Sequence, residues 1–281
     1  MNRYLSLIKF AHTVFALPFA MIGFFLAVWQ QGYTFHLQTF FLVLICMVLA
    51  RSAAMAFNRV ADFPFDQENP RTAKREIPAG VISKQAATFF VILCSVGFIV
   101  ATWFINKLCF FLSPVALFVV LGYSFTKRFT SFSHLFLGLG LSLAPVGAYL
   151  AVTGKFHIIP VLLGLGVLFW VSGFDVIYAL QDEEFDRNHK LYSMPSWLGK
   201  RNALTISSVL HIFSFSCFVL IAVIGNFGAW YWIGLLIFTC LLIYQHLIVK
   251  PNDLSRVNVA FFTTNGVASI VFSIFVLIDF F

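Results

Sequence analysis

The sequence predicts an all-α, polytopic membrane protein with nine transmembrane helices. Three observations lead there. The 281 residues are 60% hydrophobic and only 10% charged, with a mean hydropathy of +0.93, whereas a soluble domain carries roughly a quarter charged residues. Apolar runs of the length that crosses the hydrocarbon core, about 20 residues, recur between polar breaks along the whole chain. The cations fall almost entirely in alternate breaks.

Taken in order, the runs place spans at 12–30, 37–60, 85–106, 109–126, 132–153, 157–180, 203–225, 228–249 and 258–280. Arg3 and Lys9 precede the first, which flows on into further spans as a retained helix would rather than a cleaved leader. The breaks at 106–109 and 225–228 are short, so the spans around them form tight hairpins. The N-terminus holds Arg3 and Lys9, and the loop after span 2 holds Arg71, Lys74, Arg75 and Lys84. Lys127 and Arg128 follow span 4, Arg187, Lys190, Lys200 and Arg201 follow span 6, and Lys250 and Arg256 follow span 8. These are fourteen of the eighteen cations. Only Lys107 and Lys155 fall in the opposite loops, while Arg51 and Arg59 lie within span 2. Positive loops face the cytoplasm. The N-terminus and the even-numbered loops are therefore expected inside a cytoplasmic (inner) membrane, and nine spans put the C-terminus outside.

The five cysteines sit singly in apolar runs, without CxxC or Cys/His spacing, and the seven histidines are scattered. Neither a disulfide framework nor a zinc site follows, and both sets read as packing residues. Nothing in the basic loops suggests a nucleic-acid partner; the partner is membrane lipid.

The acids carry more information. Nine of eleven form two clusters, Asp62, Asp66, Glu68 and Glu76 after span 2, and Asp175, Asp182, Glu183, Glu184 and Asp186 at the end of span 6. Residues four apart share a helix face. Asn58, Asp62 and Asp66 form one stripe, and Asp182 and Asp186 another. Asp175 lies on the second stripe's face, two turns deeper. Pro64 removes a backbone donor and clashes one turn back, so a bend or helix end is expected near 60–66. Carboxylates one turn apart repel, and ionisable groups at membrane depth are costly enough to mark function. A solvated helix end paired with Arg71, Lys74 and Arg75 accounts for one cluster but poorly for a matching second one. Paired carboxylates suit hard divalent cations such as Mg²⁺, which also takes phosphate and water ligands. Two such sites facing each other would clamp a diphosphate between metals, with Arg71, Lys74, Arg75, Lys127, Arg128 and Lys190 adding contacts. In a membrane, that implies a lipid diphosphate.

Four segments in order, N-x-x-x-D-x-x-x-D at 58–66, "NPRTAKREIPAG" at 69–80, "YSFTKR" at 123–128 and "DVIYALQDEEFDRNHKLYSMPSWLG" at 175–199, resemble the UbiA superfamily of intramembrane aromatic prenyltransferases. The "KFAHTVFALPFA" opening at 9–20 and "YALQDEEFD" at 178–186 are most similar to the 4-hydroxybenzoate polyprenyltransferase branch, and within it to the version associated with menaquinone made through futalosine. Asn58-Arg59 replaces the Asn-Asp that many members carry there.

The resemblance covers essentially the whole chain and implies a single prenyltransferase domain, 1–281. In it the nine helices surround a central cavity capped on the cytoplasmic side by the loops after spans 2 and 6. It implies transfer of a polyprenyl group from an allylic polyprenyl diphosphate to an aromatic acceptor, 4-hydroxybenzoate-like or a naphthoate-type quinone precursor, in ubiquinone or menaquinone biosynthesis. Two Mg²⁺ ions would bridge the diphosphate, held by Asp62, Asp66, Asp182 and Asp186 with Asn58 assisting. Asp175 would orient the acceptor or act on its proton, Tyr123 would stabilise the carbocation by its ring face, and Arg51 would pair with an acceptor carboxylate or with Asp175. Two alternatives stay open: a transporter or ion pathway using the intramembrane acids, and a UbiA-type enzyme with a different acceptor. A transporter puts its acids near the bilayer midplane, whereas these lie at span ends.

Overall fold

A computed structural model describes residues 2–8 and 15–281. In chain order its helices are α1 (Asn2–Leu7), α2 (Leu17–Phe25, continued by a π-helical turn Leu26–Gln30), α3 (Leu37–Ala61), α4 (Phe63–Glu68), α5 (Lys84–Trp103), α6 (Lys107–Thr126), α7 (Ser133–Thr153), α8 (Ile158–Ala179), α9 (Glu183–Asn188), α10 (Met194–Ile224), α11 (Ala229–Ile248) and α12 (Asn265–Asp279, preceded by a π-helical segment Val259–Thr264). Among the described residues there is no strand, only an isolated bridge between Lys250 and Asp253.

Among the described residues, eight helices are long and apolar enough to cross a membrane: α3, α5, α6, α7, α8 run on through α9, α10, α11, and α12 with its π-helical lead-in. The chain is a multi-span membrane protein. The expected first span differs. Its described part is the shorter apolar helix Leu17–Gln30, and residues 12–14 lie outside the described residues, as do Lys9 and much of the 9–20 stretch. The expected seventh span begins nine residues early. Ser193 caps α10 in a capping box, its hydroxyl accepting from Ser196 N while Ser196 Oγ accepts from Ser193 N. Gly199 then takes φ 76, which only glycine adopts cheaply, so α10 is a short first piece kinked onto a long second one.

The chain forms two compact units, Met1–Thr13 with His36–Phe125 and Val14–Phe35 with Thr126–Phe281. In the first, α3 packs along α5, where Leu49 presses against Gly97. Leu7, Ala56, Ile77, Ile82, Ala87 and Val91 form its buried core. Most of α6 is turned outward: Phe111 and Phe118 are 71% and 78% exposed, as suits a face solvated by lipid.

In the second unit an aromatic core gathers around Trp170, with Phe19, Phe174, Phe218, Phe238 and Phe272. The approach of α8 to α10 repeats every seven residues. Gly173 accepts at its carbonyl from Ser207 and abuts His211; Gly166 accepts from Ser214 and abuts Phe218. Small residues let the backbones close in, and serines bond across the gap, as is common where lipid removes the hydrophobic drive between helices. Polar bonds also tie distant segments together. Trp170 Nε1 donates to Asn265 Oδ1 (2.9 Å), and Ser273 Oγ donates to the Pro18 carbonyl (3.0 Å). His211 Nε2 meets the Trp170 carbonyl at 3.3 Å, and its Nδ1 meets His246 Nε2 at 2.8 Å.

Candidate active-site residues

The residues singled out from the sequence fall into two groups, one in each unit. In the first unit α3 ends where Pro64 predicts. Pro64 cannot donate to Val60, the helix closes at Asp62, and α4 restarts with the proline in its first turn. Asp62 N still donates to Asn58 O and Asp66 N to Asp62 O, both at 2.8 Å. The bend therefore keeps the three residues one turn apart, and the stripe survives it. Asn58 Nδ2 donates to Asp62 Oδ2 at 2.9 Å, aiming the half-buried carboxylate.

Asp66 is buried and committed. Both its oxygens accept from Arg75 Nη1, at 2.7 and 2.9 Å, and Thr72 Oγ1 donates to its carbonyl. The link from Asp66 to Arg75 folds residues 69–80 back toward the end of α3. Asn69 Oδ1 accepts from Arg71 N and starts that turn. Arg71 and Lys74 project from it, exposed. Glu76 accepts from the Ser6 hydroxyl, which fastens α1. Arg51 lies at mid-helix in α3, and its electrostatic neighbour is Tyr123 on α6. Arg51 Nε and Arg59 Nε are buried and make no hydrogen bond among the described residues.

In the second unit α8 ends at Ala179, a tight 3₁₀ turn carries Leu180–Asp182, and α9 follows. Each 3₁₀ residue turns about 20° further than an α-helical one. Three of them rotate the second motif by about 60° from the straight-helix position relative to Asp175, so the three acids do not share one straight face. Asp182 and Asp186 are both buried. Among the described residues Asp186 Oδ2 has no hydrogen-bond partner; Lys127 Nζ lies 3.8 Å from it, and Ser193, Asp182 and His134 are further polar neighbours of the carboxylate. The Lys127 carbonyl in turn accepts from Tyr192 N at 2.7 Å, which binds the "TKR" turn to the loop after α9. Arg128 and Lys190 are exposed beside it, Lys190 with a φ of 54°.

Asp175 has a partner the sequence does not reveal. Its Oδ2 lies 2.7 Å from His134 Nδ1, and His134 is 1% exposed. At least this histidine is more than packing. The pairing spans 41 residues and two helices, so no spacing rule would find it. Tyr178, one turn on, stacks on Phe261 at 4.1 Å. Among the described residues no three His, Cys, Asp or Glu side chains form a ready metal cage. Each unit instead presents carboxylates at a helix break with a cation at hand.

A model of the UbiA prenyltransferase family matches residues 16–267. The chain belongs to that family. This UbiA-family chain is 30% identical to the 4-hydroxybenzoate octaprenyltransferase of Tolumonas auensis over 79% of its own length and 78% of the relative's. It is also 30% identical to the enzyme of the same name from Nitrosomonas europaea, over 80% and 77%. In structure it matches the apo UbiA homolog from Aeropyrum pernix K1 with a TM-score of 0.86 and 30% identity, covering 96% of this chain and 98% of that one. It shares the fold of the Archaeoglobus fulgidus UbiA homolog bound to DMAPP and Mg²⁺, with a TM-score of 0.75 at 18% identity over 99% of both chains. The UbiA assignment makes the chain an enzyme of the prenyltransferase class.

Proposed function

We propose that the chain, acting as one domain over 1–281, transfers a polyprenyl group from an allylic polyprenyl diphosphate to an electron-rich aromatic acceptor. The acceptor is a 4-hydroxybenzoate-like ring or a naphthoate-type quinone precursor. The observation that carries the reading is Asp186 Oδ2, a buried carboxylate oxygen with no hydrogen bond and an ammonium at 3.8 Å. Buried acceptors are nearly always satisfied, so this one is suited to a cation. Its companions Asp62, Asp182 and Asn58 offer only oxygen ligands, the set a hard ion takes. One or two carboxylates per ion suffice when phosphate and water complete the shell, so a preformed three-carboxylate cage is not needed. When bound, two Mg²⁺ ions would neutralise the diphosphate and make it a leaving group.

The chain's own residues divide the remaining work. Asp62, Asp66, Asp182 and Asp186 would hold the ions, with Asn58 orienting Asp62. Asp66 also aims Arg75. Arg75, Arg71, Lys74, Lys127, Arg128 and Lys190 bind diphosphate oxygens. The allylic C–O pair leaves with the diphosphate, and the ring face of Tyr123 stabilises the allylic cation. The acceptor ring supplies the electron pair of the new C–C bond, and its proton passes to Asp175. Arg51 pairs with the acceptor's carboxylate. The names of the bacterial relatives support an aromatic hydroxy acid as acceptor. The charge asymmetry supports an orientation with the N-terminus and both acidic motifs on the cytoplasmic side of the inner membrane and the C-terminus outside.

The test is a proteoliposome assay with radiolabelled prenyl diphosphate and a panel of hydroxybenzoate and naphthoate acceptors. Expected are transfer in Mg²⁺, none in EDTA, restoration on adding Mg²⁺, and loss in Asp62→Asn with Asp182→Asn. Transfer that survives EDTA would remove the metal from the reading. Transfer to no aromatic acceptor would remove the acceptor class.

A further inference from the structure

His134 belongs to none of the motifs read from the sequence, yet both its ring nitrogens are engaged. Nδ1 lies 2.7 Å from Asp175 Oδ2, and Nε2 lies 3.3 Å from the backbone N–H of Met194. A backbone N–H can only donate. Nε2 is therefore the acceptor and carries no proton, and Nδ1–H donates to the carboxylate. The partners leave one tautomer, a neutral ring. They also fix the role of Oδ2 of Asp175, which faces a donor and so accepts.

The surroundings hold this arrangement in place. The Ser172 hydroxyl, three residues before Asp175 on α8, bonds the His134 carbonyl at 3.1 Å. Met194 is the first residue of α10, and its N–H is one of the donors a helix start leaves without an intrahelical acceptor. The imidazole supplies that acceptor. It thus joins the α8 carboxylate to the start of α10, at the end of the loop that runs from Asp186 through Lys190 and is tied at Tyr192 to Lys127. Asp175 Oδ1 accepts no hydrogen bond among the described residues, and the Asp175 side chain is 18% exposed while Phe174 and Val176 beside it are buried. One oxygen is anchored and the other is presented.

We propose that His134 is a positioning residue for prenyl transfer. It holds Asp175 in place through Oδ2, so that Oδ1 faces the aromatic acceptor's hydroxyl or departing proton. The proposal rests on the function proposed above and deepens it.

The test compares His134→Leu and His134→Asn in proteoliposomes with each substrate varied in turn. His134→Leu removes both bonds at similar bulk. It is expected to lower kcat over acceptor KM by about 10- to 100-fold, the usual cost of losing an orienting partner, with the KM for prenyl diphosphate unchanged. His134→Asn sets an amide donor near the place of Nδ1 and is expected to recover most of that loss. Unchanged acceptor kinetics in His134→Leu, or an equal loss for both substrates without rescue by Asn, overturns the proposal. A second arm needs no turnover. The ¹⁵N resonances of the imidazole, assigned by their loss in His134→Asn, should report the neutral Nδ1–H tautomer in detergent-solubilised wild type. An Nε2–H tautomer or an imidazolium overturns the proposal even where every acceptor tried proves wrong. Failure of the wild type to prenylate any acceptor, with the expected tautomer present, counts against the function and not against the dyad.

Discussion

Replacing Arg75 with glutamine should destabilise the first unit far more than a surface ion pair would. The Asp66 side chain is 7% exposed and both its oxygens accept from Arg75 Nη1, whose side chain is 21% exposed. Exposed pairs are worth about 0–1 kcal/mol. Removing one partner of a buried pair costs roughly 3–5 kcal/mol, because a desolvated charge is left behind. Arg75 sits near the edge, where water can reach part of the vacated space, so the expected loss is about 2–3 kcal/mol, on the order of a hundredfold in the folded-to-unfolded ratio. Unfolding in SDS mixed micelles, followed by far-UV circular dichroism, measures it. Asp66→Asn with Arg75→Gln removes both charges of the pair together, so neither is left without the other. The double variant should therefore be more stable than the sum of the singles, by at least about 1 kcal/mol of coupling. A loss under about 0.5 kcal/mol in Arg75→Gln, or strict additivity in the cycle, would refute the reasoning.

Two further outcomes follow from the second motif. Asp186→Asn removes a buried charge whose Oδ2 lacks a hydrogen bond. In EDTA the variant should be more stable than wild type by about 1 kcal/mol or more, read as a raised melting temperature, while prenyl transfer falls at least about tenfold; a lowered melting temperature would show that Lys127 and Ser193 already satisfy the carboxylate. Ser193→Ala removes the hydroxyl that caps α10, at a cost of about 1 kcal/mol; amide exchange at Ser196 should accelerate about fivefold, and unchanged protection would mean that the cap does not hold the loop.

What the sequence made legible is what charge scarcity makes conspicuous. With eleven acids in 281 residues, the stripes at Asn58, Asp62, Asp66 and at Asp182, Asp186 stand out, and Pro64 announces the break at Asp62. The cation pairings of Asp66 and Asp186 were legible only as a set of nearby loops. Their specific partners, Arg75 and Lys127, depend on turns that spacing does not encode. The start of α10 was missed because the box at Ser193 closes on a second serine, Ser196, rather than the usual Glu or Gln, and because Gly199 interrupts the apolar run. The rotation at Leu180–Asp182 was missed because nothing in "ALQDE" distinguishes a 3₁₀ turn from an α-helical one. His134 was missed for a different reason. A lone histidine in an apolar helix looks like filler until the chain brings Asp175 and Met194 to its two nitrogens.

The bond from Trp170 to Asn265 reaches 95 residues forward, and that from Ser273 to Pro18 reaches 255 residues back. A ribosome releases these segments at widely separated moments. Until α12 emerges, α8 carries an indole N–H without its native acceptor, and the Pro18 carbonyl lacks its serine. The second unit can therefore complete its polar bonding only when its last helix has entered the bilayer. Truncation before Asn265 would leave Trp170 and the Pro18 carbonyl without these two partners.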